Sequence, residues 1–222
     1  MTPVLEEHSP SPAAVASPTT SRGLLLLCAG LVITWTLLIR RFGGGDVYPV
    51  LGSFALGVVV AIAALRGPAL AHALRPTTRA VLSGLLIGVG MTVATYPVFD
   101  MATRLVPGLR ANVTELYRAA ATRTVWQSMP WVLVIILAEE FLFRSALLDA
   151  LERRMRPAVG MLLSIAAYTV AQAGTGSGIV ALMALVCGAV WTLQRHYTKS
   201  LLSPLISHLI WTPVVILLKP VL

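Results

Sequence analysis

The chain has 222 residues, of which 57% are hydrophobic and only 12% are charged. Soluble domains carry about 25% charged residues, so this composition excludes an ordinary soluble globular protein and indicates an integral membrane protein. The net charge of +8 comes from basic residues that flank apolar runs, so we assign it to membrane topology and contact with the lipid bilayer, and we expect no nucleic-acid partner.

A polar N-terminal segment precedes a series of apolar ones. Residues 1–22 are rich in Ser, Pro, Thr and Ala, which predicts a disordered tail. The apolar runs that follow are too long for barrel strands of about ten residues, so they predict α-helices. The fold class is therefore an all-α, polytopic membrane bundle with about seven transmembrane helices. The predicted segments are 23–39, 48–65, 80–99, 126–149, 157–173, 178–194 and 200–218.

Two features of the chain lie outside the main pattern of apolar segments. The longest connection, residues 100–125, is rich in charged residues and predicts an interfacial helix. The two cysteines, Cys28 and Cys187, lie far apart in apolar stretches, so we expect buried packing residues with no disulfide and no metal site.

Glu139 and Glu140 lie near the middle of the fourth apolar segment. A charge at that depth costs about 2.5–3.5 kcal/mol on insertion scales. Arg144 follows Glu140 by four residues and lies on the same helical face, which predicts an ion pair. Glu139 is rotated about 100° from Glu140, so we expect it to face a cavity without a partner and to act as a general base. The alternative is a structural ion-pair cluster that holds helices together.

Two further polar side chains, Gln172 and His208, lie in later apolar segments. Each of them, taken alone, is more often a hydrogen-bonded packing residue than a catalytic one. At 1.5 Å per residue, Glu139 and Gln172 lie roughly 21–22 Å, and His208 roughly 14 Å, along their helices from the same side of the membrane. We therefore predict that the three side chains meet at similar depth in one bundle.

The string Glu139-Glu140-x-x-x-Arg144 resembles the first motif of the CPBP intramembrane proteases. This family, also called ABI, includes CAAX prenyl endopeptidases and proteins of bacteriocin processing or immunity. The run EEFLFRSALLDALERR and the later run TKSLLSPLISH extend the resemblance, which covers about residues 125–216. Composition and the resemblance together divide the chain into three units: the tail 1–22, N-terminal membrane helices with a connecting segment over 23–124, and, by the resemblance, a four-helix catalytic core over 125–222.

The other two motifs of the family are altered in this sequence. The second motif, Phe-x-x-x-His, is Tyr168-x-x-x-Gln172 here, and the third, His-x-x-x-Asn, is His208-x-x-x-Thr212. In an active member the resemblance implies that the first-motif Glu and the second-motif His activate water, while the third motif orients it or stabilises the oxyanion. By that analogy Glu139 is the base, His208 assists, and Gln172 and Thr212 donate hydrogen bonds.

The resemblance also raises the question of zinc, whose participation is disputed for the family. Catalytic zinc takes three protein ligands and an open fourth position. Glu139, His208 and the neutral Gln172 make a poor set of zinc ligands, and the sequence has no His-Glu-x-x-His motif. We therefore expect no tightly bound zinc and no other cofactor.

These observations predict an intramembrane endopeptidase whose partner is a membrane-embedded or lipid-proximal protein or peptide substrate. Gln172 cannot shuttle a proton, so the alternative is a weak or inactive relative that acts as a membrane scaffold or regulator. A transporter or channel that uses the buried carboxylates as a proton relay is a third possibility. Arg outnumbers Lys 15 to 2, which suits a GC-rich genome. We therefore expect a multi-pass protein of the bacterial inner membrane.

Overall fold

The structure is a computed structural model that describes residues 18–43, 47–120 and 123–222. Within these ranges all regular secondary structure is helical, which confirms the predicted all-α class. The elements are α1 (Pro18–Phe42), α2 (Val47–Ala73), α3 (Thr78–Leu105), α4 (Leu109–Ala120), α5 (Val125–Glu139), the π-helical segment π1 (Glu140–Leu147), α6 (Leu148–Glu152), α7 (Pro157–Ala173), α8 (Gly178–Thr198), α9 (Leu202–Pro213) and a second π-helical segment π2 (Val214–Leu218).

The seven predicted apolar segments all form helices, but their ends differ from the prediction. Helix α1 begins at Pro18, inside the predicted tail, while residues 1–17 lie outside the described residues. Helix α2 continues to Ala73, beyond the predicted end at residue 65. The prediction ended there because Arg66 ends the apolar run, but an arginine does not interrupt a helical backbone. The charged connection over residues 100–125 contains the separate helix α4.

In the described part of the chain, four helices are long and apolar enough to cross a membrane, namely Arg22–Phe42, α2, α3 and α8. Helix α7 and the segment Leu202–Leu218 are apolar but shorter than the roughly 20 residues of a full span. The remaining apolar segment is divided among α5, π1 and α6. The chain is thus a multi-pass helical membrane bundle, as predicted, and its described residues combine full-length spans with shorter or divided apolar helices.

Helix α9 packs closely against α3 through small residues. Gly84 and Gly88 form a Gly-x-x-x-Gly pattern, which allows two helix backbones to approach each other. A Cβ atom at Gly88 would lie 2.8 Å from the Cα atom of Ser207, and one at Gly84 would lie 2.7 Å from the Cβ atom of Ile206. No side chain therefore fits at either position without moving α9.

The other side of α9 is fixed to α8 by a buried polar cluster. The Gln194 amide nitrogen donates to the Ser203 hydroxyl oxygen at 2.8 Å and to the Ser203 carbonyl oxygen at 3.1 Å. The Ser207 hydroxyl donates to the Gln194 amide oxygen at 2.8 Å. Because Ser207 precedes His208, these contacts fix the part of α9 from which the histidine projects.

Candidate active site

Glu139 is the last residue of α5, and its side chain is held by two residues of α7. The Tyr168 hydroxyl donates to Oε2 at 3.0 Å, and the Gln172 amide nitrogen donates to Oε1 at 2.6 Å. Glu139 is only 4% exposed. The expectation that Glu139 would lack a partner is therefore wrong. Tyr168 and Gln172 lie one helical turn apart on one face of α7, and that face meets the end of α5.

His208 lies between the two glutamates and is 2% exposed. Its Nδ1 atom is 2.9 Å from Glu140 Oε1, and its Nε2 atom is 3.6 Å from Glu139 Oε2. A proton on Nδ1 would be donated to the Glu140 carboxylate, which leaves Nε2 to face Glu139. The predicted meeting of Glu139, Gln172 and His208 at one depth is confirmed by these contacts and by the Gln172 hydrogen bond.

The predicted pair between Glu140 and Arg144 is also confirmed. Arg144 Nη1 lies 3.5 Å from Glu140 Oε1, and both side chains are completely buried. The guanidinium carbon lies 4.2 Å from the ring centroid of Tyr168 and 5.4 Å from that of Trp191. The aromatic faces therefore supply part of the stabilisation that water would give an exposed arginine.

Space for this arrangement depends on Gly188 of α8. A Cβ atom there would lie 2.8 Å from Tyr168 Cδ1 and 3.4 Å from Arg144 Nη2. The bare backbone of Gly188 thus allows the Tyr168 ring to lie beside the guanidinium while its hydroxyl reaches Glu139. Trp191, one turn further along α8, stacks on the imidazole of His208.

Sequence reasoning missed both Gly188 and Trp191. Each of them is an ordinary residue of an apolar helix, and neither belongs to a recognised motif. The one signal in the sequence is their spacing, because residues three apart on a helix share a face. That spacing would have predicted that Gly188 and Trp191 face the same neighbour, but only the position of α8 beside the polar site identifies that neighbour.

Thr212 is not joined to the rest of the site. Its hydroxyl oxygen is buried, and it has no hydrogen-bond partner among the residues that the structure describes. Helix α9 ends at Pro213, where proline removes a backbone donor and the chain continues as π2. Of the six predicted site residues, Glu139, Glu140, Arg144, Gln172 and His208 thus form one connected cluster, and Thr212 remains outside its hydrogen bonds.

The donor set does not fit a zinc ion. In the described part of the chain, no group of three or more His, Cys, Asp and Glu side chains is arranged to hold a metal. Both ring nitrogens of His208 face carboxylates, and the Gln172 amide nitrogen is directed at Glu139. A Gln that donates through nitrogen cannot replace the neutral histidine ligand that zinc prefers, so we derive no step through a metal.

Comparison with known proteins identifies the part of the chain that carries this cluster. Residues 121–214 match the family model described as Type II CAAX prenyl endopeptidase Rce1-like. No curated protein and no solved structure matches the chain. The matched range begins four residues before α5, ends at the first residue of π2 and includes all six predicted site residues. The match over residues 121–214 supports membership of the CPBP/CAAX protease family.

Proposed function

We propose that the protein is an intramembrane endopeptidase that hydrolyses a peptide bond of a membrane-associated protein or peptide. The observation that carries the proposal is the convergence of Glu139, Gln172 and His208 from α5, α7 and α9. These helices are separate in the chain, and their polar residues meet inside an otherwise apolar bundle. Ionisable residues at such depth are costly and generally functional.

In the proposed reaction Glu139 accepts a proton from water while the water oxygen attacks the substrate carbonyl carbon. The negative charge that develops on the carbonyl oxygen is stabilised by hydrogen-bond donors, for which the Gln172 amide and the Tyr168 hydroxyl are the nearest candidates. The carbon–nitrogen bond then breaks, and the proton held by Glu139 passes to the leaving amine. His208, whose Nε2 atom lies 3.6 Å from Glu139 Oε2, orients Glu139 and the water.

The site must open for this reaction to occur. Glu139 and His208 are almost fully buried, and the Gln172 amide already occupies one oxygen of Glu139. Substrate entry must therefore separate α7 or α9 from α5, and that movement frees the Gln172 amide for the substrate. Steps of this kind often limit the rate of an enzyme.

The matched family model is that of type II CAAX prenyl endopeptidases. For this chain we propose the broader class of peptides whose cleavage site lies close to a lipid anchor or a transmembrane segment. The buried position of the site among apolar helices supports such a substrate, because a soluble peptide would have to leave water to reach Glu139.

The experiment uses the purified full chain in liposomes with two synthetic probes. One probe is a farnesylated peptide with a C-terminal CAAX sequence, and the other is an unprenylated single-span peptide. Mass spectrometry of the products gives the rate and position of cleavage. The wild type is expected to cleave one of them, and Glu139→Gln and His208→Ala are expected to lose that cleavage. Gln172→His is expected to raise the rate, because an imidazole can carry a proton.

The matched control is Glu115→Gln in α4. Glu115 is an exposed carboxylate outside the family match, where it pairs with Arg118. We expect this variant to cleave at the wild-type rate. Cleavage by Glu139→Gln at the wild-type rate would overturn the proposed function.

A scaffold without catalysis is the second candidate, and Gln172 is the observation that favours it. Its amide nitrogen lies 2.6 Å from Glu139 Oε1 at the position of the second-motif histidine, and an amide cannot accept a proton from water. A scaffold predicts that Glu139→Gln keeps the biological phenotype of the wild type. It also predicts that neither probe is cleaved, even by Gln172→His.

A further inference from the structure

Glu140 and Arg144 lie on a stretch of helix that is not α-helical, and Glu139 immediately precedes that stretch. Segment π1 spans Glu140–Leu147, and all eight of its residues are buried. In a π-helix each N–H group bonds the carbonyl five residues earlier, and this wider turn is rare and is frequently found at functional sites. In a regular α-helix each residue is rotated about 100° from the one before it, and this rotation would set the direction of Arg144 relative to Glu140. The wider turn therefore changes the direction of Arg144 relative to both glutamates.

Three neighbouring helices donate side-chain hydrogen bonds to π1. The Ser164 hydroxyl of α7 donates to the Phe143 carbonyl oxygen at 2.8 Å, and Arg195 Nε of α8 donates to the Arg144 carbonyl oxygen at 3.3 Å. Arg66 Nη1 of α2 donates to the Ser145 hydroxyl at 2.9 Å. The donors thus reach three consecutive residues of π1 from three sides.

Asp149 of α6 joins two of these donors. Its Oδ2 atom accepts from Arg66 Nη2 at 2.5 Å, and its Oδ1 atom accepts from Arg195 Nη2 at 3.3 Å. The side chains of Arg66 and Arg195 are 9% and 13% exposed, so water screens these contacts weakly. One carboxylate therefore fixes two guanidinium groups, and each of these also bonds π1.

We propose that Arg66, Asp149 and Arg195 are positioning residues that hold π1 in the geometry from which Glu139 and Glu140 both reach His208. This inference rests on the proposed function, because the geometry matters most for a reaction at Glu139. The three residues touch neither carboxylate of the site. They act through the backbone and the serine of π1, and their removal would let the segment return towards an ordinary α-helical turn.

Two conservative variants test the proposal, because each removes one hydrogen-bonding group and leaves the charges around Asp149 unchanged. Arg195→Lys keeps the positive charge near Asp149 but removes the Nε donor to Arg144. Ser145→Ala removes the hydroxyl that accepts from Arg66 and changes no charge. For each variant, we expect kcat for the probe peptide to fall about 10- to 100-fold with KM unchanged, since small misplacements of reacting groups have effects of this size.

Two matched variants serve as controls. Arg104→Lys alters another arginine–aspartate pair, 2.5 Å apart, but that pair joins exposed side chains of α3 and lies outside the family match. Ser53→Ala removes an exposed serine of α2. We expect both controls to keep the wild-type kcat. We also expect all four variants to unfold at the wild-type temperature, which separates positioning from a general loss of stability.

A spectroscopic readout makes the test independent of catalysis. In protein labelled with ¹⁵N-histidine, the ring resonances of His208 report its contacts with Glu139 and Glu140, and the His208→Gln variant assigns them. We expect Arg195→Lys and Ser145→Ala to shift these resonances, while the two controls leave them in place. Should the wild type cleave neither probe, the proposed function fails, and these shifts alone decide the positioning proposal. Unshifted resonances in both test variants would overturn it, whatever the activity.

Discussion

Trp191 stacks on His208, with ring centroids 3.6 Å apart and planes 20° from parallel. The stack fixes the plane of the imidazole, and in that plane Nδ1 faces Glu140 while Nε2 faces Glu139. The indole nitrogen itself has no hydrogen-bond partner among the described residues. Trp191 therefore contributes to the site through its ring face and through packing.

We expect Trp191→Leu to lower kcat about 100-fold, because the imidazole loses the surface that orients it. Trp191→Phe keeps an aromatic face, so we expect its kcat to fall by less than about 10-fold. Cleavage rates with the probe peptides measure both effects. If the leucine and phenylalanine variants cleave equally fast, the aromatic face does not orient His208.

The pair of Glu140 and Arg144 gives a prediction about stability. Glu140→Gln leaves the Arg144 charge completely buried without its acidic partner, and breaking a buried pair costs about 3–5 kcal/mol. The double variant Glu140→Gln/Arg144→Met removes both charges and should cost less than the sum of the single variants. Unfolding in detergent micelles with increasing denaturant gives the free energies for this double-mutant cycle.

The exposed pair of Glu115 and Arg118 is the control for that cycle. Both side chains are more than half exposed, and exposed pairs contribute about 0–1 kcal/mol. We expect a coupling energy in this range for the control and a clearly larger one for the buried pair. Equal coupling energies for the two pairs would show that burial does not strengthen the interaction of Glu140 with Arg144.

Thr212 gives a prediction that separates stability from activity. Its buried hydroxyl has no protein partner among the described residues, and an unsatisfied buried polar group costs about 1–3 kcal/mol. Thr212→Val keeps the shape of the side chain, so we expect the variant to be at least as stable as the wild type. If the hydroxyl donates a hydrogen bond to the substrate, kcat should nevertheless fall. A variant with lower stability and unchanged kcat would show that Thr212 is a structural residue.

Much of the site could be predicted because polar residues are conspicuous in an apolar chain. Glu139, Glu140 and His208 stood out for that reason, and the constant rise of an α-helix gave their depths. The same reasoning placed Gln172 beside Glu139. Composition was sufficient for the all-α class, since a chain with such long apolar runs has few other ways to satisfy its backbone in lipid.

The remaining features depend on details that hydropathy does not report. Segment π1, EFLFRSAL, contains no proline or glycine that would indicate a departure from an α-helix, so its sequence does not reveal the wider turn. Arg66 and Arg195 each follow an apolar run, as basic residues that set membrane topology do, although both extend inward to Asp149. Trp191 could not be distinguished from a core residue before the position of α8 relative to α9 was known. Each of these features is a tertiary contact between helices.

The close contact at Gly188 gives the last prediction. A Cβ atom there would lie 2.8 Å from the Tyr168 ring, which cannot retreat because its hydroxyl bonds Glu139 and its face contacts Arg144. We therefore expect Gly188→Ala to destabilise the protein by about 1–3 kcal/mol through overpacking. An alanine in a helix would otherwise stabilise it by about 1 kcal/mol relative to glycine. Gly90→Ala is the control, since no atom lies within 4 Å of the added Cβ. Denaturant unfolding in micelles should rank the control at or above the wild type and Gly188→Ala below it, and the opposite order would show that the Tyr168 ring is free to move.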